Sequence, residues 1–192
     1  MVPGLRVGGS PPETALGVLG DPMFLSIFVT LIAIQRLLEL RLSRDHELAL
    51  RAKGAYERAA GHYPLIVILH AAWLLATLLE GWLRGAELSP SWPLWAALFL
   101  GGQALRYWAI LSLGERWTTR VMVLPGAPLI TSGPYKFLPH PNYLAVVLEI
   151  FAAPLMFGAW ITAGAFTLLK AGVLLVRIRA EEQALGEVGR PC

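Results

Sequence analysis

The chain is predicted to be an all-α integral membrane protein with about five transmembrane helices. Of its 192 residues, 56% are hydrophobic and only 15% are charged, and its mean hydropathy is +0.57. An ordinary soluble domain is about 45–50% apolar and about 25% charged. In addition, the apolar residues fall into five blocks, most of which approach the roughly 20 residues that a helix needs to cross a bilayer.

The five blocks predict the helices in order. We expect residues 1–21, which are rich in Gly and Pro, to form a flexible tail before a single transmembrane domain over residues 22–192. Pro90 and Pro93 precede the third block, where they suit the entrance of a helix. The predicted spans are Phe24–Leu40, Tyr63–Trp82, Trp92–Leu113, Tyr143–Phe157 and Ala159–Ile178.

Almost nothing separates the fourth span from the fifth, so these two are predicted to form an antiparallel helical hairpin. If its tip lies near Gly158, residues whose numbers sum to roughly 317 lie side by side, because both helices rise 1.5 Å per residue. His140 then lies opposite Arg177, and Glu149 lies opposite Lys170, with which it could pair inside the membrane. The register therefore predicts that the segments PHPNY and RIRAEE meet at one end of the hairpin.

Basic residues predict the orientation in the membrane. The loops after the first and third spans and the segment after the fifth carry most of the Lys and Arg, whereas the opposite side has only Arg6 and Arg84. Cytoplasmic loops carry an excess of these residues. We therefore expect a multi-pass protein of the cell (inner) membrane, with its amino terminus outside and its functional site on the cytoplasmic side.

Several classes of function are disfavoured by the sequence. The net charge of +3 is better explained by basic cytoplasmic loops than by nucleic-acid binding. The single cysteine, Cys192, excludes an intramolecular disulfide and a cysteine-based metal cluster, and we expect no metal. The chain also contains no dinucleotide fingerprint, P-loop or zinc-protease motif.

The polar residues at the predicted meeting point are suited to a small polar ligand. Tyr135, His140, Asn142 and Tyr143 offer hydrogen bonds and stacking surface. Arg177 and Glu181 are spaced i, i+4 and so lie on one helix face. A carboxylate suits an ammonium group or ribose hydroxyls, and an arginine suits an anionic or oxygen-bearing group. The simpler alternative for this stretch is a proline-stiffened helix entrance with Asn142 as the cap.

Two charged residues inside the predicted spans are candidates for binding the second substrate. Glu149 and Arg106 lie within apolar blocks, where ionisable side chains are costly and commonly functional. A purely structural ion pair is an equally good interpretation for Glu149.

The stretch PLITSGPYKFLPHPNYLAVVLEI, followed by RIRAEEQAL, resembles the isoprenylcysteine carboxyl methyltransferase family. Members of that family carry a G-x-Y-x-x-x-R-H-P-x-Y loop and an R-x-x-x-E-E-x-x-L segment. The resemblance is strongest from about Gly126 to Leu185. Here Pro139 replaces the family's basic residue before the histidine, so Lys136 or Arg120 would have to take over any contact made by that residue.

The resemblance implies an S-adenosylmethionine-dependent O-methyltransferase that acts on a carboxyl or hydroxyl group of a lipophilic acceptor. Arg177 and Glu181 would be catalytic, and Arg177 would face the acceptor, with Glu149 and Arg106 as further substrate-binding candidates. The partners would be the acceptor and membrane lipids. The residues implied to line the cofactor pocket are Leu129, Ile130, Tyr135, His140, Pro141, Asn142, Tyr143 and Glu181.

The acceptor implied by the resemblance is either a prenylcysteine or a polyketide lipid such as an alkylpyrone or alkylresorcinol. The HPNY form is closer to bacterial members that methylate polyketide lipids. Two other functions stay open at this point: an NADPH-dependent membrane sterol or lipid reductase, whose loop is similar to HPNY, and a non-enzymatic membrane scaffold or small transporter.

Overall fold

The computed structural model describes residues 22–58, 61 and 63–188, with side chains to residue 183. The predicted tail, residues 1–21, lies outside the described residues. The described chain contains five α-helices and two short strands, and these elements are α1 (Pro22–Ala52), β1 (Tyr56–Arg58), α2 (Tyr63–Leu83), α3 (Trp92–Leu113), β2 (Val121–Val123), α4 (Pro141–Met156) and α5 (Trp160–Val188).

The all-α membrane fold is confirmed. Within the described residues, α1, α2, α3 and α5 are long and apolar enough to cross a membrane, and α4 is a shorter apolar helix. At 1.5 Å per residue, the 16 residues of α4 span about 24 Å. The chain is therefore a multi-pass membrane protein.

Helix α4 lies at the centre of the helix packing. Ala145, Ala152 and Ala153 are fully buried, and Trp73 of α2 donates its indole N–H to the carbonyl of Ile150, 3.1 Å away. A Cβ added at Gly102 of α3 would lie 3.2 Å from Leu148 Cβ of α4. Small residues on α3 and α4 thus allow the two backbones to approach closely, as is common where membrane helices pack.

The predicted hairpin between α4 and α5 is present. Gly158 adopts φ +66° in the turn, a conformation that glycine reaches without steric cost. The amide of Ala159 donates to the carbonyl of Pro154, which closes the turn at 3.0 Å. This turn sends α5 back along α4 toward the PHPNY segment.

Helix α1 is longer than predicted, because it ends at Ala52 rather than near Leu40. Its apolar block stops where the prediction placed the end, but Arg, Glu, Leu and Ala are good helix formers and carry the helix onward. Hydropathy marks the end of the apolar segment and contains no information about where the helix ends.

A two-stranded antiparallel ribbon was missed by the sequence analysis. Strand β1 pairs with β2 in the register Tyr56↔Val123, Glu57↔Met122 and Arg58↔Val121. Each strand has only three residues, which is too short for an alternating hydrophobic pattern to be recognised. The ribbon joins the loop after α1 to the loop after α3, at the end of the bundle where PHPNY begins α4.

Candidate active site

The hydroxyl of Tyr143 connects the two sequence motifs. Tyr143 lies in the first turn of α4 and donates a hydrogen bond to Glu181 Oε2 of α5. The same hydroxyl accepts a hydrogen bond from Arg177 Nε at 2.8 Å. The prediction that PHPNY and RIRAEE meet is therefore correct, and the direct contact joins Tyr143 to Arg177 and Glu181.

His140 extends this cluster on the side of Tyr143. Its ring stacks on that of Tyr143, with centroids 5.3 Å apart and an interplanar angle of 17°. Its Nε2 lies 3.4 Å from Oε1 of Glu182. The carboxylate next to His140 is thus that of Glu182. It lies five residues beyond Arg177, the residue that the simple register had placed opposite His140.

The start of α4 differs from the expected cap. His140 occupies the cap position and Pro141 the first helical position, where the missing proline N–H costs nothing. No side-chain cap hydrogen bond forms there, so the interpretation of Asn142 as the helix cap is wrong. Asn142 Oδ1 is instead buried with no hydrogen-bond partner in the described part of the chain.

A sharp turn brings Tyr135 close to Glu181. Gly133 adopts φ +61°, and a Cβ added there would lie 2.0 Å from Ser112 Oγ of α3, so no other residue fits without rearrangement. Burial raises the pKa of the Tyr135 hydroxyl, and the negative charge of Glu181 raises it further. Tyr135 is therefore a neutral hydrogen-bond donor at physiological pH.

The remaining residues of the predicted cofactor pocket lie in the segment before this turn. Leu129 is 66% exposed and Ile130 is partly buried. Arg116 holds this segment by donating from Nη1 to the carbonyl of Pro128 at 2.5 Å. Neither apolar side chain is packed into the protein core.

Arg177 is held from a second direction by a residue that the sequence analysis missed. Its Nη2 donates to the carbonyl of Thr119 at 2.5 Å. Thr119 is fixed in turn by the buried Ser43 of α1, whose hydroxyl accepts the Thr119 amide hydrogen bond at 2.8 Å. Every residue has a backbone carbonyl, so no sequence motif could indicate this contact.

The two candidates within the membrane, Arg106 and Glu149, pair with each other. Arg106 donates from Nε and Nη2 to the two oxygens of Glu149, at 2.7 and 2.5 Å, and both residues are buried. Glu149 lies six residues beyond Tyr143, which places it about 9 Å deeper along α4. Of the described contacts, none joins this pair directly to Arg177.

The predicted pair of Glu149 with Lys170 is wrong. Lys170 Nζ donates to the carbonyl of Ile66 at 3.2 Å, and Glu149 forms its ion pair with Arg106. The register placed these residues at the correct height along the two helices to within one turn. A register does not give the rotation of each helix about its axis, so it does not show which side chains face each other.

A second ion pair joins Arg106 and Glu149. On α1, Arg36 Nη1 lies 2.9 Å from Glu39 Oε2, and the same carboxylate lies 3.4 Å from Arg106 Nη1. We name Arg36, Glu39, Arg106 and Glu149 the buried ion network. The i, i+3 spacing of Arg36 and Glu39 was a sequence signal for their pairing, but their link to α3 was not predictable from it.

Neither substitute for the family's basic residue contacts His140 in the described structure. Arg120 donates to Glu57 Oε1 at 2.6 Å and stacks over the ring of Tyr63 at 4.3 Å, so it is engaged with the ribbon. Lys136 is exposed and lies over Phe137. The replacement of the family's basic residue by Lys136 or Arg120 in a contact with cofactor or substrate stays a prediction.

Comparison with known proteins connects the site to a family. The family model described as isoprenylcysteine carboxyl methyltransferase matches residues 95–187, a range that contains both motifs. An uncharacterized protein of Bacillus subtilis (strain 168), YpbQ, is 39% identical over 161 residues, which cover 84% of this chain and 96% of that protein. An uncharacterized protein of Haemophilus influenzae (strain ATCC 51907 / DSM 11121 / KW20 / Rd) is 29% identical over 167 residues, covering 86% of this chain and 97% of that one. No solved structure matches significantly.

The chain belongs to the isoprenylcysteine carboxyl methyltransferase family. This membership supports a membrane methyltransferase.

Proposed function

We propose that this member of the isoprenylcysteine carboxyl methyltransferase family transfers a methyl group from S-adenosylmethionine to a carboxyl or hydroxyl oxygen of a lipophilic acceptor. The observation that carries the proposal is the Tyr143 hydroxyl, which joins Glu181 to Arg177. A carboxylate and a guanidinium, held at fixed positions at the mouth of one helix pair, can bind two ligands of opposite polarity. The active domain would comprise residues 22–192.

The residues present fit the cofactor. Asn142 Oδ1 is a buried hydrogen-bond acceptor without a partner among the described residues, and Glu181 is a carboxylate. Both suit the amino group or ribose hydroxyls of an adenosyl cofactor. His140 and Tyr143 form a stacked pair, and Leu129 and Ile130 supply nearby apolar surface. Tyr135 and Pro141 complete the proposed binding set.

When bound, S-adenosylmethionine supplies a methyl group on a positively charged sulfur, so the protein needs no nucleophile of its own. The chain's contribution would be to align the acceptor oxygen and exclude water from it. The apolar helices beside the partly exposed cluster would contribute to this exclusion.

Arg177 is the residue best placed to hold the acceptor oxygen. Its Nε and Nη2 are engaged by Tyr143 and Thr119, which fixes the plane of the guanidinium. In the described structure this leaves Nη1 for a ligand. A donor held rigidly before the reaction begins would orient the acceptor oxygen toward the methyl group. It would also favour the ionised acceptor, whose proton has left to water before the oxygen–carbon bond forms and the carbon–sulfur bond breaks.

We further propose that the acceptor is a small lipid with a carboxyl or hydroxyl group, such as a polyketide lipid, in preference to a prenylcysteine. The site would lie on the cytoplasmic side of the cell membrane, with the amino terminus outside. The match to a methyltransferase family favours methyl transfer over reduction with NADPH or a scaffold role.

Thermal unfolding of the detergent-purified protein tests the cofactor. A ligand that binds only the native state raises Tm, and the rise grows with the logarithm of the ligand concentration above Kd. S-adenosylhomocysteine should raise Tm, and NADPH at the same concentration should not. A rise with NADPH alone would replace the proposal with the reductase.

A further inference from the structure

Three helices place a membrane boundary at the level of the candidate active site. A tryptophan stands at the opposite end of each of α2, α3 and α5, and two of the three are more than half exposed. Exposed tryptophans are typical of the interface of a bilayer. A helix crosses the roughly 30 Å of hydrocarbon in about 20 residues. Counted from Trp82, Trp92 and Trp160, that length ends near Tyr63, Ser112 and Ala180.

The turn before α4 lies at this boundary. We name Gly133–Phe137 the site turn, in which a short 3-10 helix ends at Phe137. A Cβ added at Gly133 would lie 2.0 Å from Ser112 Oγ and 3.2 Å from Trp108 Nε1, so the turn packs against the last two turns of α3. Pro134 is fully buried there. The site turn is therefore level with the end of the span that α3 forms, although the sequence analysis placed it in a loop.

The side chains of the site turn face opposite ways. Tyr135 is partly buried, and the charge of Glu181 acts on its hydroxyl. Phe137 is 71% exposed, although it is large and apolar. Trp108, against which the turn packs, is 49% exposed, and Leu111 in the same part of α3 is 80% exposed. One side of the turn thus faces the candidate site, and the other continues the lipid-facing surface of α3.

A lysine stands between these two side chains. Lys136 is exposed and forms no ion pair with a described carboxylate, and its Nζ lies 5.9 Å from the centroid of the Phe137 ring. A lysine at a membrane boundary extends its apolar stem along hydrocarbon and keeps its ammonium among the lipid head groups. An aromatic ring and a cation side by side are therefore suited to that boundary.

We propose that the site turn is inserted into the leaflet next to the candidate active site and is held there by lipid. The Phe137 ring lies among the acyl chains, and the Lys136 ammonium lies at the level of the lipid phosphates. Transfer of an exposed phenylalanine from water into hydrocarbon is favourable. Because Tyr135 belongs to the same turn, the bilayer also fixes the side chain that lies near Glu181. The insertion stands whether or not the chain transfers methyl groups.

A nitroxide label at Phe137→Cys measures the depth of the site turn in lipid nanodiscs. The native Cys192 is the single cysteine, so Cys192→Ser supplies the background. Leu111→Cys is the lipid-facing control, and Leu48→Cys is the aqueous control, since Leu48 is 62% exposed on α1 beyond its apolar block. Oxygen concentrates in hydrocarbon and a nickel chelate stays in water. The ratio of oxygen to nickel accessibility at Phe137 should be about tenfold higher than at Leu48 and within about twofold of that at Leu111.

A ratio at Phe137 equal to that at Leu48 would place the turn in water and overturn the proposal. A label at Lys136→Cys should be more accessible to nickel than the label at Phe137. Shielding of the Lys136 label from both reagents would overturn the head-group assignment, and would instead support the predicted contact of this residue with cofactor or substrate.

A photoreactive lipid tests the insertion without any substitution. A phospholipid with a diazirine in one acyl chain, added to the full chain, should label Phe137 and Leu111 and spare Leu48. Labelling of Leu111 with none in the site turn would contradict the insertion. This measurement decides if Phe137→Cys does not fold.

The effect on the cofactor rests on the proposed function and is measured separately. In nanodiscs, Phe137→Ser should weaken S-adenosylhomocysteine binding about tenfold, whereas Phe137→Leu, which restores an apolar side chain, should stay within about twofold of the unsubstituted protein. Unchanged affinity in folded Phe137→Ser would show that lipid does not fix Tyr135. If S-adenosylhomocysteine does not bind the unsubstituted protein, the proposed function fails, while the label depth still decides the insertion.

Discussion

The molecule contains two clusters in which arginine meets glutamate, and their surroundings differ. At the mouth of the hairpin, Arg177 and Glu181 share the hydroxyl of Tyr143, and the cluster is partly exposed. About 9 Å deeper along α4, Arg106 and Glu149 pair through two direct hydrogen bonds in a fully buried position. Arg106 and Glu149 neutralise each other's charge and use their hydrogen-bonding groups on each other. Arg177 and Glu181 are separated by the neutral hydroxyl of Tyr143, so both keep hydrogen-bonding capacity for a ligand.

This difference shows that residue type does not decide the role of a charged pair. Burial makes an unpaired charge so costly that Arg106 and Glu149 must neutralise each other. Because Arg177 and Glu181 are partly exposed to water, their charges are stable without a direct ion pair between them. The deep pair therefore connects α3 to α4, and the outer pair is available for chemistry.

The strongest test of the comparison is Arg106→Leu. Removing Arg106 takes away both hydrogen bonds to the buried Glu149 and leaves it only the ion pair with Arg36, 3.7 Å away. We therefore expect the variant to lose about 3 kcal/mol of stability, measured by chemical unfolding in detergent. The double variant Arg106→Leu/Glu149→Leu should recover most of this loss. A double variant as unstable as the single one would mean that packing, rather than charge pairing, dominates at this position.

Arg177→Ala should affect turnover rather than stability. Loss of the donor that positions the acceptor oxygen should lower the rate about 100-fold, measured as methyl transfer under saturating cofactor, with S-adenosylhomocysteine affinity nearly unchanged. The exposed neighbour Arg179 provides the matched control, since Arg179→Ala should leave the rate within about twofold. Loss of cofactor affinity in folded Arg177→Ala would contradict the proposed division of roles.

Glu181→Ala should weaken S-adenosylhomocysteine binding by about 10- to 100-fold, the range for a lost hydrogen bond to a charged group. Calorimetric titration measures this directly. Glu182→Ala is the control, because Glu182 is 62% exposed and contacts only His140 among the described residues. Equal losses in both variants would remove Glu181 from the site.

A smaller effect is expected from removing the hydrogen bond between Ser43 and Thr119, whose carbonyl accepts from Arg177. Ser43→Ala removes the acceptor of the Thr119 amide, which should cost about 1 kcal/mol and lower turnover several-fold, because the Thr119 carbonyl orients Arg177. Ser26→Ala removes an exposed hydroxyl bond within α1 and should change neither quantity. An unchanged rate in Ser43→Ala would show that Arg177 is fixed by Tyr143 alone.

The smallest effect concerns alkaline pH. The folded-state pKa of Tyr135 is raised, so above pH 10 the unfolded chain releases a proton that the folded chain retains. Stability is therefore fully present below pH 10 and falls as pH rises toward the folded-state pKa. In Tyr135→Phe the decline above pH 10, followed by unfolding in denaturant, should be shallower. An identical decline would assign the pH dependence to other groups.

Much of the outer cluster was predictable. Hydropathy located the helices, the short turn at Gly158 set the hairpin register, and spacing placed Arg177 and Glu181 on one face. These inferences depend on local geometry and repeat distances, which are similar in every helix. The prediction failed for the pair of Glu149 with Lys170, because a register locates residues along two helices without giving their rotation.

The buried ion network, in contrast, was not predictable from the sequence. Its members come from α1, α3 and α4, and no local pattern connects Glu39 with Arg106, which are 67 positions apart in the chain. The contacts of Arg177 with Thr119 and of β1 with β2 were equally inaccessible, since backbone groups are the same in every sequence.

The sequence by itself determined the membrane class, the helix order and the meeting of the PHPNY and RIRAEE segments. Only the tertiary structure decided which charge pairs with which and that the Tyr143 hydroxyl joins Arg177 to Glu181. The physical reason is one of range. Hydropathy and helical periodicity act between neighbouring residues, whereas charge pairing in a low-dielectric interior depends on the distances between side chains that folding alone brings together.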